Sequence, residues 1–318
     1  MNIIGIDIGG TKCAVSRLLP NGKVEEFARF PTSGVGETLN CFEKEIRICG
    51  KLESPVFGIS CGSPLDSKKG IILSPPNLPG WDRVEICDWF RQRFGGRAFL
   101  MNDANACAVA EWKFGAGRGA LNMIFLTAGT GMGAGLILDG RLYEGTTFDA
   151  GEVGHMRLAR KGPMGYGKEG SFEGFCSGGG IARLARMRLQ EEKIIPPDWA
   201  FPLDELSAKK IDEAAVAGDS FALQVMKEVG EHFGQALSTL IDILNPDRIV
   251  IGGIFPRCGE RLLPSMTEVL KRETLPPSLA GCSIVPAELG ETIGSHGAIA
   301  AALYGAGLEI PLPAVPFA

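Results

Sequence analysis

The sequence predicts an α/β protein of two similarly built lobes, because one motif occurs in it twice. Residues 3–8 have the apolar character of a buried strand, residues 9–11 are a glycine turn, and residues 12–18 follow as a second strand. The same order of strand, turn and strand returns at residues 122–138. Duplication on this scale indicates two lobes of one construction. The length of 318 residues agrees, because it suits two domains better than one core.

The first glycine turn joins two strands, and this decides what it can bind. A helix after the turn would indicate a P-loop or a Rossmann dinucleotide site, but the following residues have a period of two and indicate a hairpin. Gly9 and Gly10 let backbone N–H groups approach phosphate oxygens, and Thr11 adds a hydroxyl. Asp7 ends the first strand at the same rim and can hold Mg²⁺ through water. Lys12 is a candidate phosphate ligand or simply a solvated lysine that opens an exposed strand.

A second and a third glycine turn add to this picture. The second follows the apolar residues 122–127 and contains Gly129, Thr130, Gly131 and Gly133. One such turn in each lobe predicts a nucleotide whose phosphate chain is held between the lobes. The third turn, Gly252 and Gly253, ends a strand at residues 248–251 and offers bare backbone to a flat ligand. A Gly-Gly pair is equally an ordinary turn.

The remaining elements follow from apolar spacing and from capping and breaking residues. A capping box of Asp82 and Glu85 is expected to start the helix that ends near Phe94. Glycines at residues 115–119 have the composition of a hinge, and Pro311, Pro313 and Pro316 predict an irregular tail. The other predicted elements are helices over 37–50, 103–114, 219–244 and 295–304, and strands over 56–60 and 97–101.

Composition and charge exclude several classes of protein. The net charge of −5 gives no basic surface for nucleic acid or for an anionic membrane. Nine cysteines occur without a C-x-C or C-x-x-C pair, which favours a reducing, intracellular setting over a disulfide scaffold. No signal peptide and no long apolar run is apparent. We therefore expect a cytoplasmic protein that binds neither nucleic acid nor membrane.

Six motifs in order resemble those of sugar kinases of the ROK (repressor, open reading frame, kinase) family, within the actin-like ATPase (ribonuclease H-like) fold. The motifs lie at residues 7–12, 76–81, 102–103, 129–133, 151–155 and 251–253. The resemblance implies phosphorylation of a hexose or hexosamine by Mg-ATP, in an enzyme similar to glucokinase or N-acetylmannosamine kinase. It also implies a homodimer or a higher homo-oligomer, with ATP and sugar between the lobes and the adenosine beside Gly252 and Gly253.

The same resemblance implies a division of roles between the lobes. The N-terminal lobe would comprise residues 1–115 and about 295–318, with the first phosphate hairpin and the catalytic aspartate. The C-terminal lobe would comprise residues 116–294, with the second hairpin, the sugar loop, the adenosine site and the oligomerisation surface.

Asp103 is the candidate general base. It follows a strand, at the end where ligand crevices open in α/β sheets, and a carboxylate there can accept the hydroxyl proton during phosphoryl transfer. The alternative is that Asp103 merely caps the helix after it. Asn102 is expected to hold another sugar hydroxyl.

The sugar loop supplies further candidates and departs from the family pattern. Glu152 and His155 are flanked by glycines and can hydrogen-bond sugar hydroxyls, while His232 and His296 are interpreted as structural. By the family pattern Glu173 is another sugar ligand. Many relatives bind zinc in this loop, but here the cysteine positions hold Met164, Tyr166 and Ser171, and Cys176 is a poor substitute. We therefore predict no zinc, and expect glycine turns and the packing of Tyr166, Phe172 and Phe175 to hold the loop.

Two alternatives to a kinase stay open. The family includes sugar-responsive repressors that carry a DNA-binding module before the kinase-like body, but this chain starts at the first strand and lacks a basic stripe. A catalytically silent sugar sensor is the second alternative, and the retained Asp7, Asp103 and phosphate turns argue against it. The sequence does not identify the sugar.

Overall fold

The computed structural model describes residues 2–309, which divide into two units. The first unit comprises residues 2–119, 142–148 and 288–309, and the second comprises residues 120–141 and 149–287. The roles predicted for residues 1–115 with about 295–318 and for residues 116–294 stay predictions. The tail with Pro311, Pro313 and Pro316 lies outside the described residues.

The first unit contains a five-stranded sheet in the order β3-β2-β1-β4-β7. Strands β1, β4 and β7 run parallel, and β2 and β3 extend the sheet as antiparallel neighbours. The strands are β1 (Ile3–Ile8), β2 (Lys12–Leu18), β3 (Val24–Pro31), β4 (Val56–Cys61), β5 (Leu65–Asp66), β6 (Ile71–Ile72) and β7 (Arg97–Asn102). The helices that follow them are α1 (Val35–Ile48), α2 (Ile86–Phe94) and α3 (Asp103–Phe114).

The predicted capping box before α2 is wrong. Glu85 is the N-cap residue, it makes no side-chain capping hydrogen bond, and the helix begins at Ile86. Val84 instead exchanges backbone hydrogen bonds with Ile72, at 2.9 and 3.1 Å. This bridge keeps residues 82–84 out of the helix, because an extended segment cannot also make the backbone hydrogen bonds of a helix.

The second sheet repeats the first, in the order β10-β9-β8-β13-β14. Its hairpin is again antiparallel. The first strand of the hairpin pairs on its other side with a parallel strand, and that strand pairs with a second parallel strand beyond it. The predicted duplication is therefore confirmed. The strands are β8 (Met123–Ala128), β9 (Met132–Leu138), β10 (Arg141–Tyr143), β11 (Met164–Gly165), β12 (Lys168–Glu169), β13 (Arg248–Ile251) and β14 (Ser283–Pro286). The helices are α4 (Phe172–Cys176), α5 (Gly178–Glu191), α6 (Ala208–Val216), α7 (Ser220–Leu244), α8 (Phe255–Glu273) and α9 (Pro276–Gly281).

The long helix α7 forms much of the core of the second unit. Its N-cap residue Asp219 accepts a hydrogen bond from the Ala222 N–H at 2.8 Å, and Asn245 ends it in the left-handed conformation. Its buried stripe, which includes Phe233 and Leu237, packs within the same apolar cluster as strands of the sheet. The predicted bounds of this helix, 219–244, agree within one residue.

The last helix, α10 (Ile293–Ala306), belongs to the first unit. It approaches β4 so closely that a Cβ on Gly58 would lie 2.0 Å from the Ala298 carbonyl oxygen. Small residues at this contact are therefore a packing requirement. Within residues 2–309, no helix is long and apolar enough to span a membrane.

Candidate functional site

The first glycine turn is closed by its own backbone and lies against a neighbouring loop. The Gly9 N–H donates to the Lys12 carbonyl oxygen at 3.1 Å. A Cβ on Gly10 would lie 2.7 Å from the carbonyl oxygen of Asn77, so that a larger residue would displace this loop. Gly10, Thr11 and Lys12 are exposed. The turn therefore has a fixed backbone and an accessible outer surface, as a phosphate-binding turn needs.

Asp7 lies beside this turn and has an unusual environment. It pairs in register with Ser60 of β4, whose hydroxyl donates to its carboxylate. Burial, followed by the negative charge of Asp103, raises the pKa of Asp7 from 3.8 to about 6. A carboxylate held near another carboxylate is a suitable partner for a divalent cation, which would relieve the repulsion.

Gly294 also lies against the Asp7 carboxylate, and it was not identified from the sequence. A Cβ at this position would lie 2.4 Å from Asp7 Oδ2, so the first turn of α10 approaches the carboxylate through bare backbone. Its sequence signal is weak, because a glycine near a helix start is common. Asp7 and Gly294 are brought together by tertiary structure, which the local sequence does not indicate.

Asp103 is the first residue of α3, and the cap of that helix is supplied by its neighbour. Asn102 Oδ1 accepts from the N–H groups of Ala104 and Asn105, at 3.0 and 3.2 Å, and Asn102 Nδ2 donates to Ser63 Oγ at 2.9 Å. Capping is thus carried by Asn102. An aspartate at position 103 is therefore not needed as the N-cap residue.

The carboxylate of Asp103 is oriented and partly dehydrated. Its Oδ1 accepts from the Ala104 N–H at 2.8 Å. The residue reaches solvent, but protein atoms crowd its carboxylate, and this loss of hydration raises the pKa of Asp103 above its usual 3.8. A base with a raised pKa is a better proton acceptor near neutral pH.

The second glycine turn is held at both ends in the second unit. The Gly178 N–H, at the start of α5, donates to the Gly129 carbonyl oxygen at 2.8 Å. At the other end, the Met132 N–H donates to Glu173 Oε2 at 3.1 Å. Glu173, predicted as a sugar ligand, is thus brought to the predicted phosphate turn.

The other residues of this turn are placed as follows. Gly131 lies beside the Glu173 carboxylate, and a Cβ on Gly179 would lie 3.3 Å from the Thr130 carbonyl oxygen. Gly133 lies in β9, paired with Thr127, and is a strand residue. The glycines that open α5 were missed in the sequence, where three consecutive glycines at 178–180 were the available signal.

The third turn packs directly against the second. The Ile254 N–H donates to the Ala128 carbonyl oxygen at 2.9 Å. Gly253 has φ +69°, and a Cβ there would lie 2.1 Å from the same oxygen. Gly252 lies against the Phe125 ring. The structure therefore brings the two predicted parts of a nucleotide site together in one unit.

The sugar loop begins with a short helical turn, Val153–His155. Glu152 is exposed, and His155 is half-buried with its ring edge against Tyr166, at 5.1 Å between centroids. Lys168 Nζ donates to the His155 carbonyl oxygen at 2.5 Å. His232, interpreted as structural, stacks on Phe175 in the interior of the unit.

The rest of the loop is held by close backbone contacts and two aromatic anchors. Phe172 and Phe175 are buried, as predicted, but Tyr166 is 70% exposed, so its predicted packing role is wrong. A Cβ on Gly174 would lie 2.1 Å from the Pro163 carbonyl oxygen. These contacts leave no room for a side chain larger than glycine at position 174.

The donor set in this loop does not fit zinc. Next to His155 it offers a thioether, a phenol and a hydroxyl, at Met164, Tyr166 and Ser171, where structural zinc takes thiolates and imidazoles. Ser171 is engaged as the N-cap of α4, where its hydroxyl accepts from the Gly174 N–H at 3.1 Å. No step is therefore assigned to zinc.

Two sheets of the same strand order, each with a glycine turn in its hairpin, define the class of protein. This is the actin-like ATPase fold, and the solved structures agree. A ROK family glucokinase from Streptomyces griseus, in complex with glucose and AMPPNP, is 28% identical, with a TM-score of 0.73 over 95% of this chain and 98% of that one.

The sequence comparisons give the family. The ROK family model matches residues 3–304. A glucokinase of Halalkalibacterium halodurans is 32% identical over 308 residues, 92% of each chain. A xylose repressor of Caldicellulosiruptor bescii is 29% identical over 289 residues, 86% of this chain and 71% of that one. The chain belongs to the ROK family.

Proposed function

We propose that this protein transfers the γ-phosphoryl group of ATP to a hydroxyl of a hexose or hexosamine, with Asp103 as general base. The class of the enzyme, a sugar kinase, is confirmed by its likeness to the glucokinases. The role of Asp103 is supported by one observation above all. The N-cap residue of α3 is Asn102, and the Asp103 carboxylate is oriented by its hydrogen bond from the Ala104 N–H without serving as the N-cap.

The chemistry asked of Asp103 is modest. Phosphoryl transfer passes through a loose transition state, and the base accepts the hydroxyl proton as the bond to phosphorus forms. A positioned base contributes about 10²–10⁴-fold to the rate. The Ala104 N–H fixes Oδ1, and the crowding that raises the pKa makes the carboxylate a stronger acceptor.

ATP would be bound by the two glycine turns. In this proposal Gly9, Gly10, Thr11 and Lys12 contribute from the first unit, and Gly129, Thr130, Gly131 and Gly133 contribute from the second. Gly252 and Gly253 would lie beside the adenosine. Asp7 would hold Mg²⁺ through water, and when bound, the ion neutralises phosphate charge. The raised pKa of Asp7 is compatible with this role, because a bound cation would favour the ionised carboxylate.

The sugar would be bound by Asn102, Asp103, Glu152, His155 and Glu173. Paired polar groups of this kind reject analogues that lack a hydroxyl, because the protein groups are then left without partners. Asn102 can contribute through its Nδ2 group, since its Oδ1 caps α3. We also expect the protein to form a homodimer or a higher homo-oligomer, which sedimentation would test.

The proposal is tested by a coupled assay of ADP release. Mg-ATP is supplied with a panel of hexoses, hexosamines and N-acetylhexosamines, with and without a zinc-selective chelator. A sugar-dependent rate above the ATPase background is expected, and it would identify the substrate class. Absence of such a rate for every sugar, with binding of one of them by calorimetry, would contradict the kinase and favour a silent sensor.

A regulator of the same family is the second candidate, because the sequence match with the xylose repressor covers most of this chain. The discriminating observation is phosphoryl transfer. A regulator would bind sugar without turnover, whereas the kinase releases ADP in proportion to sugar consumed. DNA binding measured by fluorescence anisotropy would be expected of the regulator.

A further inference from the structure

The second glycine turn is clamped by the segment 173–178, which runs from α4 into α5. One end of the turn is fixed by the Gly178 N–H, which donates to the Gly129 carbonyl oxygen. The other end is fixed by the carboxylate of Glu173, which accepts from the Met132 N–H. A single short segment therefore fixes the turn on both sides.

The carboxylate itself is held by a rigid backbone. Glu173 lies in α4, whose N-cap Ser171 is buried, and its carbonyl oxygen accepts from the Ser177 N–H at 3.1 Å. A Cβ on Gly131 would lie 3.0 Å from Glu173 Oε2, so the carboxylate fills the space beside the turn. Its position is thus determined by packing from several directions.

We infer that Glu173 is a positioning residue for the nucleotide, and that its carboxylate sets the geometry of the second phosphate turn through the Met132 N–H. The inference rests on the proposed function, in which this turn binds ATP. A carboxylate repels phosphate. Glu173 therefore supports nucleotide binding by fixing the backbone and makes no contact with phosphate.

This role differs measurably from that of a sugar ligand. Loss of a sugar ligand raises the KM for sugar, because paired hydroxyls lose their partner. Loss of the clamp instead weakens nucleotide binding, and it does so with no sugar present. The two roles are separated by a titration of nucleotide alone.

The experiment compares Glu173→Ala, Glu173→Gln and the control Glu169→Ala, a nearby exposed glutamate in β12. The Kd for AMPPNP is measured by calorimetry without sugar, and KM values for ATP and sugar follow. We expect Glu173→Ala to raise the Kd for AMPPNP about tenfold, as loss of a charge-assisted hydrogen bond does, in addition to any rise in the KM for sugar. Glu173→Gln keeps a carbonyl oxygen for the Met132 N–H and should stay within a few-fold of wild type.

Several results would overturn the inference. An unchanged Kd for AMPPNP in Glu173→Ala would do so, as would a rise confined to the KM for sugar. A wild-type protein that fails to bind AMPPNP would overturn it as well. If the wild type binds AMPPNP but phosphorylates no sugar, the proposed kinase fails, while the Kd values of the variants still decide the role of Glu173. Melting temperatures of the variants identify any that fold poorly.

Discussion

At the scale of single residues, two neighbouring carboxylates distinguish the first unit. Asp7 lies one residue before the end of β1, and Asp103 opens α3. Burial of Asp7 and the negative charge of Asp103 make ionisation of Asp7 costlier. Such pairs are typical of sites that receive a cation or a proton. The arrangement has a cost in stability, which gives a test independent of activity.

Asp7→Asn is expected to stabilise the protein above about pH 6 and to have little effect near pH 4. The pKa of Asp7 is raised on folding, so the wild type is favoured below its ordinary pKa of 3.8 and loses that stability as pH rises through about 6. The amide does not titrate and avoids this loss, which is about 3 kcal/mol in size. Thermal unfolding without Mg²⁺ across this range measures it. A pH-independent difference between the two proteins would contradict the assigned pKa.

At the scale of elements, Glu111 ties α3 to two segments that lie next to unit boundaries. Its side chain is fully buried, and its oxygens accept from Ala116 and Leu289 N–H groups at 2.8 and 2.9 Å, and from Glu288 at 3.3 Å. Residues 115–119, predicted as a hinge, are thereby anchored at their first end. The hinge itself stays a prediction.

Glu111→Ala is expected to lower the free energy of unfolding by about 3 kcal/mol, because three N–H groups lose their acceptor. Urea unfolding at neutral pH measures the change. Glu111→Gln is the matched variant, since it keeps the volume and one carbonyl oxygen and should lose less. Equal midpoints for wild type and Glu111→Ala would show that these bonds contribute nothing.

The sugar loop is the second element with a testable property. Its donor set does not fit zinc, and buried aromatic rings with close glycine contacts hold it instead. A zinc chelator is therefore expected to leave the melting temperature and the sugar-dependent rate unchanged. A fall in melting temperature, together with stoichiometric zinc in the purified protein, would contradict this prediction.

At the scale of the whole molecule, local patterns and distant contacts explain what the sequence could predict. The two hairpins and α7 were predictable, because glycine turns and apolar spacing are local signals. The start of α2 was not, since its bridge joins Ile72 and Val84 across a loop. The hydrogen bond from Met132 to Glu173 likewise spans 41 positions. The site residues could be named from motifs, but their partners depend on packing that a single sequence does not show.

The central claim is that Asp103 is the base of a sugar kinase, and the kcat of Asp103→Asn tests it most directly. With the sugar identified by the panel, we expect kcat to fall by at least about 10²-fold, while calorimetry finds sugar affinity within a few-fold of wild type. Asp88→Asn, at a half-exposed aspartate of α2 that pairs with Arg91, is the control and should keep full activity. An unchanged kcat in Asp103→Asn would contradict the account.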